Sequence, residues 1–435
     1  MMIATNVRTW RLIFFFSLVV IWIDLVALLI YFDSTTVHPS LSAPTSTPTT
    51  TPPVVVPTST SLAPTPKPTQ KPVPIPPPTP VPAALPTPPP IVVPSDPLAY
   101  KFGISTGDTL PWMSQEKLNK ELDDIASLGV GWVRLDMAWD EIQPYNSVTY
   151  DWSGLDRVFA AANARHIKLL PILDYTPRWA RSPNCSIGTN RCPPADPALF
   201  GTFAKAAVDR YAPQGVHAWE IWNEPNVSGS WKPEANIKDY VALLRIAYST
   251  IKSRDALSTV ITGGMSPAAT GNGNISPIEF LTNLYLAGAR EYFDAVGFHP
   301  YSYPVTPSNF QTWNAWSQMA STTPSLRSIM ITYGDGDKKI WMTEYGAPTG
   351  GPGTLADLNG YDASQVPDHV TDTLQAKMMY EAITAASNFP WAGPLFWYSY
   401  RDLGTGQNNN ENFFGLIRYD GSVKPAYTTL QAFLL

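Results

Sequence analysis

Two glutamates stand out by their surroundings. Glu224 lies in WEIWNEPN and Glu344 in WMTEYG, each at the end of an apolar run rather than inside a charged stretch. Two carboxyl groups can cleave a glycosidic bond when one donates a proton to the leaving oxygen and the other, ionised, attacks the anomeric carbon. Their environments then have to differ. Trp222, Asn223 and Pro225 surround Glu224, an aromatic, partly apolar setting expected to raise its pKa. Arg134 and Tyr301 are expected beside Glu344, where a positive charge and a hydroxyl would hold it ionised. A lone glutamate would be read as a solvated or salt-bridged strand end. Two in such motifs favour a catalytic pair.

Something has to bring the two together. From Leu98 onward, strand-like runs alternate with amphipathic helical patterns, which argues for βα units and a parallel sheet. Eight strands are expected, at Tyr100–Thr106, Trp132–Trp139, Lys168–Asp174, His217–Asn223, Thr259–Met265, Ala295–Tyr301, Lys339–Tyr345 and Gly393–Tyr400. A helix can be drawn after each, the last over Ala426–Leu434. The first carries Leu118, Leu122, Ile125 and Leu128 at helical spacing, with Ser114 as N-cap and Gly129 as stop. A later one carries Ile237, Tyr240, Val241, Leu244, Tyr248 and Ile251 on one face. Eight units predict an α/β fold, the closed (β/α)8 TIM barrel. Pro171 sits uneasily inside a central strand.

In such a barrel the C-terminal strand ends form one rim, where active sites sit. Arg134 and Asp136 are placed late in the second strand and Asp174 at the end of the third. Asn223 and Glu224 end the fourth, His299 and Tyr301 the sixth and Glu344 the seventh, while Trp397 lies in the eighth.

The remaining composition narrows the alternatives. The net charge is −6 and no basic stripe occurs, so no nucleic-acid partner is expected. Five histidines offer no evident His/His/carboxylate cluster, so neither a metal nor a cofactor is expected. Fifteen Trp and twenty Tyr suit either core packing or stacking on sugar rings. Cys185 and Cys192, in CSIGTNRC, lack the companions of a zinc site and are expected to form a disulfide if the domain is exported.

The first 97 residues read differently. Leu12–Phe32 is apolar apart from Ser17 and Asp24, and long enough to cross a bilayer core of about 30 Å. Arg8 and Arg11 precede it, which places residues 1–11 in the cytoplasm and the chain beyond Phe32 outside. A cleaved signal peptide, with a weak site in Ser40–Ala43, is the alternative and would give a secreted protein. Residues 33–97 hold roughly half of the 45 prolines and read as a disordered Pro/Thr-rich linker. The expected arrangement is a single-pass membrane protein with its catalytic domain, residues 98–435, outside the cell as a monomer.

The segments GWVRLDMAW, LDYTPRWA, WEIWNEPN, GFHPYSYP, WMTEYGAP and LFWYSY together resemble the clan A glycoside hydrolases, most of all families 39 and 5. The resemblance implies a (β/α)8 barrel and retaining cleavage of a β-linked poly- or oligosaccharide. It makes Glu224 the acid/base and Glu344 the nucleophile. Asn223 would bond the sugar 2-hydroxyl, Arg134 and Tyr301 would orient Glu344, and His299 and Trp397 would line the subsite at the cleaved bond. Many family 5 members carry a histidine near the end of strand three, where this chain has Asp174 and Tyr175. Transglycosylation on the same residues, or carbohydrate binding without catalysis, are the competing readings.

Overall fold

The computed structural model describes residues 101–183, 185, 188–360 and 367–435. The expected membrane segment Leu12–Phe32 and the linker, residues 33–97, lie outside the described residues. Among the described residues no helix is long and apolar enough to cross a membrane.

Eight parallel strands close into a barrel: β1 (Phe102–Ser105), β2 (Trp132–Ala138), β3 (Lys168–Asp174), β4 (Ala218–Ile221), β5 (Thr259–Thr262), β6 (Ala295–Phe298), β7 (Lys339–Tyr345) and β10 (Ala392–Tyr398). Each pairs with its sequence neighbour, and β1 pairs with β10 to complete the ring. The short strands β8 (Thr354–Ala356) and β9 (Pro367–Val370) form a separate two-stranded sheet after β7.

Helices follow every barrel strand and cover its outer face. The first, Gln115–Ser127, starts at Ser114, whose hydroxyl accepts from Lys117 N, and buries Leu118, Leu122 and Ile125. Gly129, just beyond its end, has φ +80°, which glycine adopts without Cβ strain. The helix Ile237–Arg254 buries Tyr240, Val241, Leu244 and Ile251, as its spacing predicts, while Ile237 and Tyr248 are only partly covered.

The barrel interior is filled from the bottom by Leu170, Ala218, Ile261, Ala295, Trp341 and Phe396, with Trp132 packed against them. Gly103 makes room for this plug, because a Cβ there would lie 2.6 Å from the Phe396 ring. Above the plug the inward positions turn polar, and that change of layer creates the site.

Several strands end earlier than their apolar runs. β4 stops at Ile221 because Trp222 (φ +71°) and Glu224 (φ +47°) adopt left-handed backbone that leaves the ladder. β5 stops at Thr262, before Gly263 and Gly264, and β6 at Phe298. Pro171 is accommodated by position. Leu173 O, two residues on and on the same edge of β3, accepts from Trp222 N, so Pro171 faces β4. Pairing between those strands begins only at Ile172↔Glu220, so the missing N–H interrupts nothing. Cys185 and Cys192 are joined as a disulfide.

Candidate active site

The centre of the polar layer is Arg134, the third residue of β2 rather than a late one, and fully buried. Its Nε donates to Glu220 Oε2 at 2.6 Å and its Nη2 to Glu220 Oε1 at 3.0 Å. Nη1 donates to Glu344 Oε1 and to Ser105 Oγ, and Nη2 also reaches Asn223 Oδ1 at 2.9 Å. Burial works against the guanidinium charge, but Glu220 and Glu344 outweigh it and keep Arg134 a cation.

Glu220 was not among the expected site residues. It is completely buried in the middle of β4 and also accepts from Gly264 N (2.8 Å) and Thr343 Oγ1 (3.2 Å). The signal was present: a glutamate inside the apolar run WEIW has to be paired. Gly264 is required beside it, because a Cβ there would lie 2.1 Å from His299 Nε2 and 2.4 Å from Thr343 Oγ1.

A bulge aims Glu344. Leu395 pairs with Met342 and Trp397 with Tyr345, so β7 carries one more residue than β10 over this stretch. Thr343 and Glu344 can therefore both point inward, Thr343 to Glu220 and Glu344 to Arg134. Tyr301 OH donates to the other carboxylate oxygen of Glu344 at 2.9 Å. Burial and the Glu344 charge push the Tyr301 phenol well up, so it stays a donor.

Glu224 faces Glu344 across His299, which is fully buried. His299 Nδ1 lies 3.2 Å from Glu224 Oε1 and 3.7 Å from Glu344 Oε2. Arg134 Nη2, which can only donate, approaches His299 Nε2 at 3.4 Å, so the ring proton belongs on Nδ1, facing the glutamates. The expected rise in the Glu224 pKa is not found. Burial does push it up, but the His299 hydrogen bond, with Ser266 and Arg191, outweighs it and holds Glu224 below its ordinary value. The aromatic neighbour Trp222 does not line the carboxylate at all; it is buried, and its Nε1 donates to Ser230 O.

Asn223 is half-buried with its Oδ1 on Arg134. Trp397 is misplaced by the sequence reading. It is 2% exposed on the outer face of β10, edge-on to Tyr345, so it packs under the helices and does not line the site. Its neighbour Tyr398 points inward instead and donates to Glu411 Oε2 at 3.1 Å. Burial pushes Glu411 up to about 7, opposed by the Tyr398 bond and reinforced by Glu344 and Glu224, so a third carboxyl faces the pair. No sequence motif announced Glu411.

Two aspartates complete the layer. Asp174 ends β3 as expected, but both its oxygens are buried without a partner among the described residues. Burial, with Asp136 and Asp140 nearby, pushes its carboxyl well above the ordinary range. Asp136 is raised to about 7, mainly by burial, with Arg134 opposing and Asp108 and Glu344 adding. In the unfolded chain it would titrate near about 3.9. Between those values the native state binds the extra proton, so stability falls as pH rises through 7. Asp136→Asn is therefore expected to raise Tm at pH 8 while leaving Tm at pH 4 nearly unchanged, a difference that scanning calorimetry at the two pH values would read.

No cluster of three or more His, Cys, Asp or Glu placed to hold a metal occurs among the described residues.

A closed parallel barrel with two glutamates at the ends of its fourth and seventh strands, sharing a buried histidine, and with a buried arginine on the second of them, has the architecture of a clan A glycoside hydrolase. The chain belongs to the family described as Cellulase (glycosyl hydrolase family 5), which matches residues 96–386. It is 26% identical over 299 residues to the "Probable mannan endo-1,4-beta-mannosidase F" of Emericella nidulans, covering 64% of this chain and 59% of that one. It is 29% identical over 171 residues to a beta-xylosidase of Geobacillus stearothermophilus, covering 37% of this chain and 32% of that one. The chain thus spans less than two thirds of either relative. A family 39 glycoside hydrolase from Bacteroides cellulosilyticus WH2 shares the fold at TM-score 0.59 and 23% identity, over 77% of this chain and 63% of that one.

Proposed function

We propose that this protein is a retaining β-glycosidase that cleaves a β-linked poly- or oligosaccharide by double displacement. Glu344 is the nucleophile and Glu224 the acid/base. The observation that carries the reading is the shared imidazole nitrogen. Because His299 Nδ1 lies 3.2 Å from one carboxylate and 3.7 Å from the other, those two oxygens are within about 7 Å of each other. Retaining pairs stand about 5–5.5 Å apart and inverting pairs about 6.5–9.5 Å, with room for a water. The bound on this pair leaves little of the inverting range open.

The groups around Glu344 fit the nucleophile and those around Glu224 fit the base of the second step, while the lowered pKa of Glu224 works against its acid form before the sugar binds. Glu344, gripped by Arg134 on one oxygen and Tyr301 on the other, is aimed at the anomeric carbon. Glu224 carries no such cation in direct contact; it has His299 Nδ1 on one oxygen and Ser230 Oγ at 3.4 Å on the other. Once Glu344 becomes an ester its negative charge is gone, and Glu224 then takes the proton of the incoming water. Asn223, held by Arg134, is placed to bond the sugar 2-hydroxyl, a contact that strengthens in the transition state. The similarity to a mannanase and a xylosidase supports mannan- or xylan-type β-linkages as the first substrates to try.

Proton NMR of hydrolysis should show the β-anomer first from a β-glycoside. Glu224→Ala should slow substrates with poor leaving groups by about 10²–10⁴-fold while sparing activated aryl glycosides far more. An initial α-anomer would remove Glu344 from the nucleophile role.

The same reading extends to location. Arg8, Arg11 and the apolar run Leu12–Phe32 support a tether with the barrel outside the cell. Full-length protein should then stay with membranes after a high-salt wash, with the barrel open to external protease. Intact mature protein in the medium would contradict the tether.

A further inference from the structure

A cleft of about 180 Å³ opens between the turn after β1 and the segment after β2, reaching the polar layer at Asp136. Asp136 forms its inner end, and Trp112, Glu141 and Asp151 line it outward. Trp112 is 68% exposed although its neighbour Leu110 is fully buried. The turn that presents it is pinned from below, because Arg157 donates to Pro111 O (2.8 Å) and Met113 O (3.0 Å). Arg157, the cation that borders the cleft, is thereby committed to carbonyls. The acidic side chains facing the space are acceptors: Asp136, Glu141 and Asp151, the last bonded to Ser153 N.

We propose that this cleft is a sugar subsite that holds one neutral or amino-bearing pyranose of the substrate, with Trp112 as its stacking platform and Asp136 and Glu141 as acceptors for its hydroxyl or ammonium hydrogens. The proposal rests on the glycosidase reading and extends it to substrate class. The space is adequate for a six-membered ring, since cavities of about 150 Å³ admit benzene. Asp136 ties the cleft to the site, because the charges of Glu344 and Glu220 reach its carboxyl. An aromatic face beside hydrogen-bond acceptors matches the apolar face and hydroxyl rim of a pyranose. The charge pattern selects further. Glu141 is exposed at the cleft, and with Asp136 and Asp151 it puts three carboxyl groups around one small space. A uronate or sulfated sugar would add another like charge, whereas an ammonium would relieve the repulsion.

The test uses the full chain carrying Glu224→Gln and Glu344→Gln, titrated calorimetrically with β-1,4-linked mannotetraose, xylotetraose, glucosamine tetraose and mannuronate tetraose. At least one neutral or amino tetraose should bind, and mannuronate tetraose should not. Adding Trp112→Ala should weaken the bound tetraose by about three- to tenfold. Glu141→Gln should weaken glucosamine tetraose more than a neutral one. In the chain with Glu224 and Glu344 intact, Trp112→Ala should lower kcat/KM on the tetraose that binds by more than it lowers kcat/KM on 4-nitrophenyl β-mannoside or β-xyloside, which are too short to fill the cleft. Affinity untouched by Trp112→Ala, tighter binding of mannuronate, or binding of no tetraose would overturn the subsite. Those results would leave the glycosidase reading standing wherever the intact enzyme hydrolyses any of the glycosides.

Discussion

Replacing Glu344 with glycine is expected to lower turnover on the order of 10⁴–10⁶-fold, and azide is expected to restore part of it with inverted stereochemistry. The structure explains both halves. Removing the carboxylate takes away the nucleophile but not the groups that held it. Arg134 Nη1 and Tyr301 OH remain in place, two donors aimed at a vacated anionic position. A small anion can occupy that space and attack the same face of the anomeric carbon. The acid/base is still present to protonate the leaving oxygen, but no glycosyl–enzyme ester forms. A β-glycoside should then give the α-glycosyl azide, identified by NMR or mass spectrometry. The fold should survive, because Arg134 keeps its two-point pairing with Glu220. Turnover near the original level in the Glu344→Gly chain, with no response to azide, would end the nucleophile assignment.

The second large effect is expected at a residue that never meets the substrate. Glu220→Leu should destabilise the barrel by about 3–5 kcal/mol, the usual result of leaving one partner of a buried ion pair behind. It strips Arg134 of two hydrogen bonds and leaves Gly264 N and Thr343 Oγ1 without their acceptor in a region closed to water. Activity should fall as well, because Arg134 is what connects Glu344, Asn223 and His299. Glu220→Gln is the informative control. It keeps the shape but turns a donor toward groups that are themselves donors, so both stability and kcat/KM should remain impaired. Denaturant melts and steady-state kinetics read the two effects separately. A Glu220→Leu chain within about 1 kcal/mol of the original would show that the buried network does not hold the site together.

Much of the architecture was legible because parallel barrel strands, covered on both faces, appear as apolar runs separated by amphipathic helices. β3 and β7 coincide with their expected spans, Lys168–Asp174 and Lys339–Tyr345. The fourth, fifth and sixth strands are shorter than their apolar runs predict. An apolar run continues past the point where left-handed backbone or paired glycines detach the chain from its neighbour, as at Trp222 and at Gly263–Gly264. Apolarity reports burial, and these segments stay buried after pairing stops.

The choice between Trp397 and Tyr398 could not be made the same way. Alternation says that one faces in and the other out, but which one depends on how β10 registers against β7. The extra residue in β7 exists only in that pairing. The electrostatics were less legible still. Local neighbours suggested a raised pKa for Glu224, yet its strongest opposing partner is His299, 75 residues away.

By itself the sequence determined the barrel class, the two glutamates and the ring of polar strand ends, because hydrophobic period and motif are properties of short stretches of chain. Only the tertiary structure decided which side chains meet. Arg134 reaches Glu344 across 210 residues. Closure of the ring sets that contact, as it sets the burial of Asp174, the inward turn of Tyr398 and the approach of Glu411. Coulomb and hydrogen-bond energies depend on separation in space, and separation along the chain does not report it once the barrel has closed.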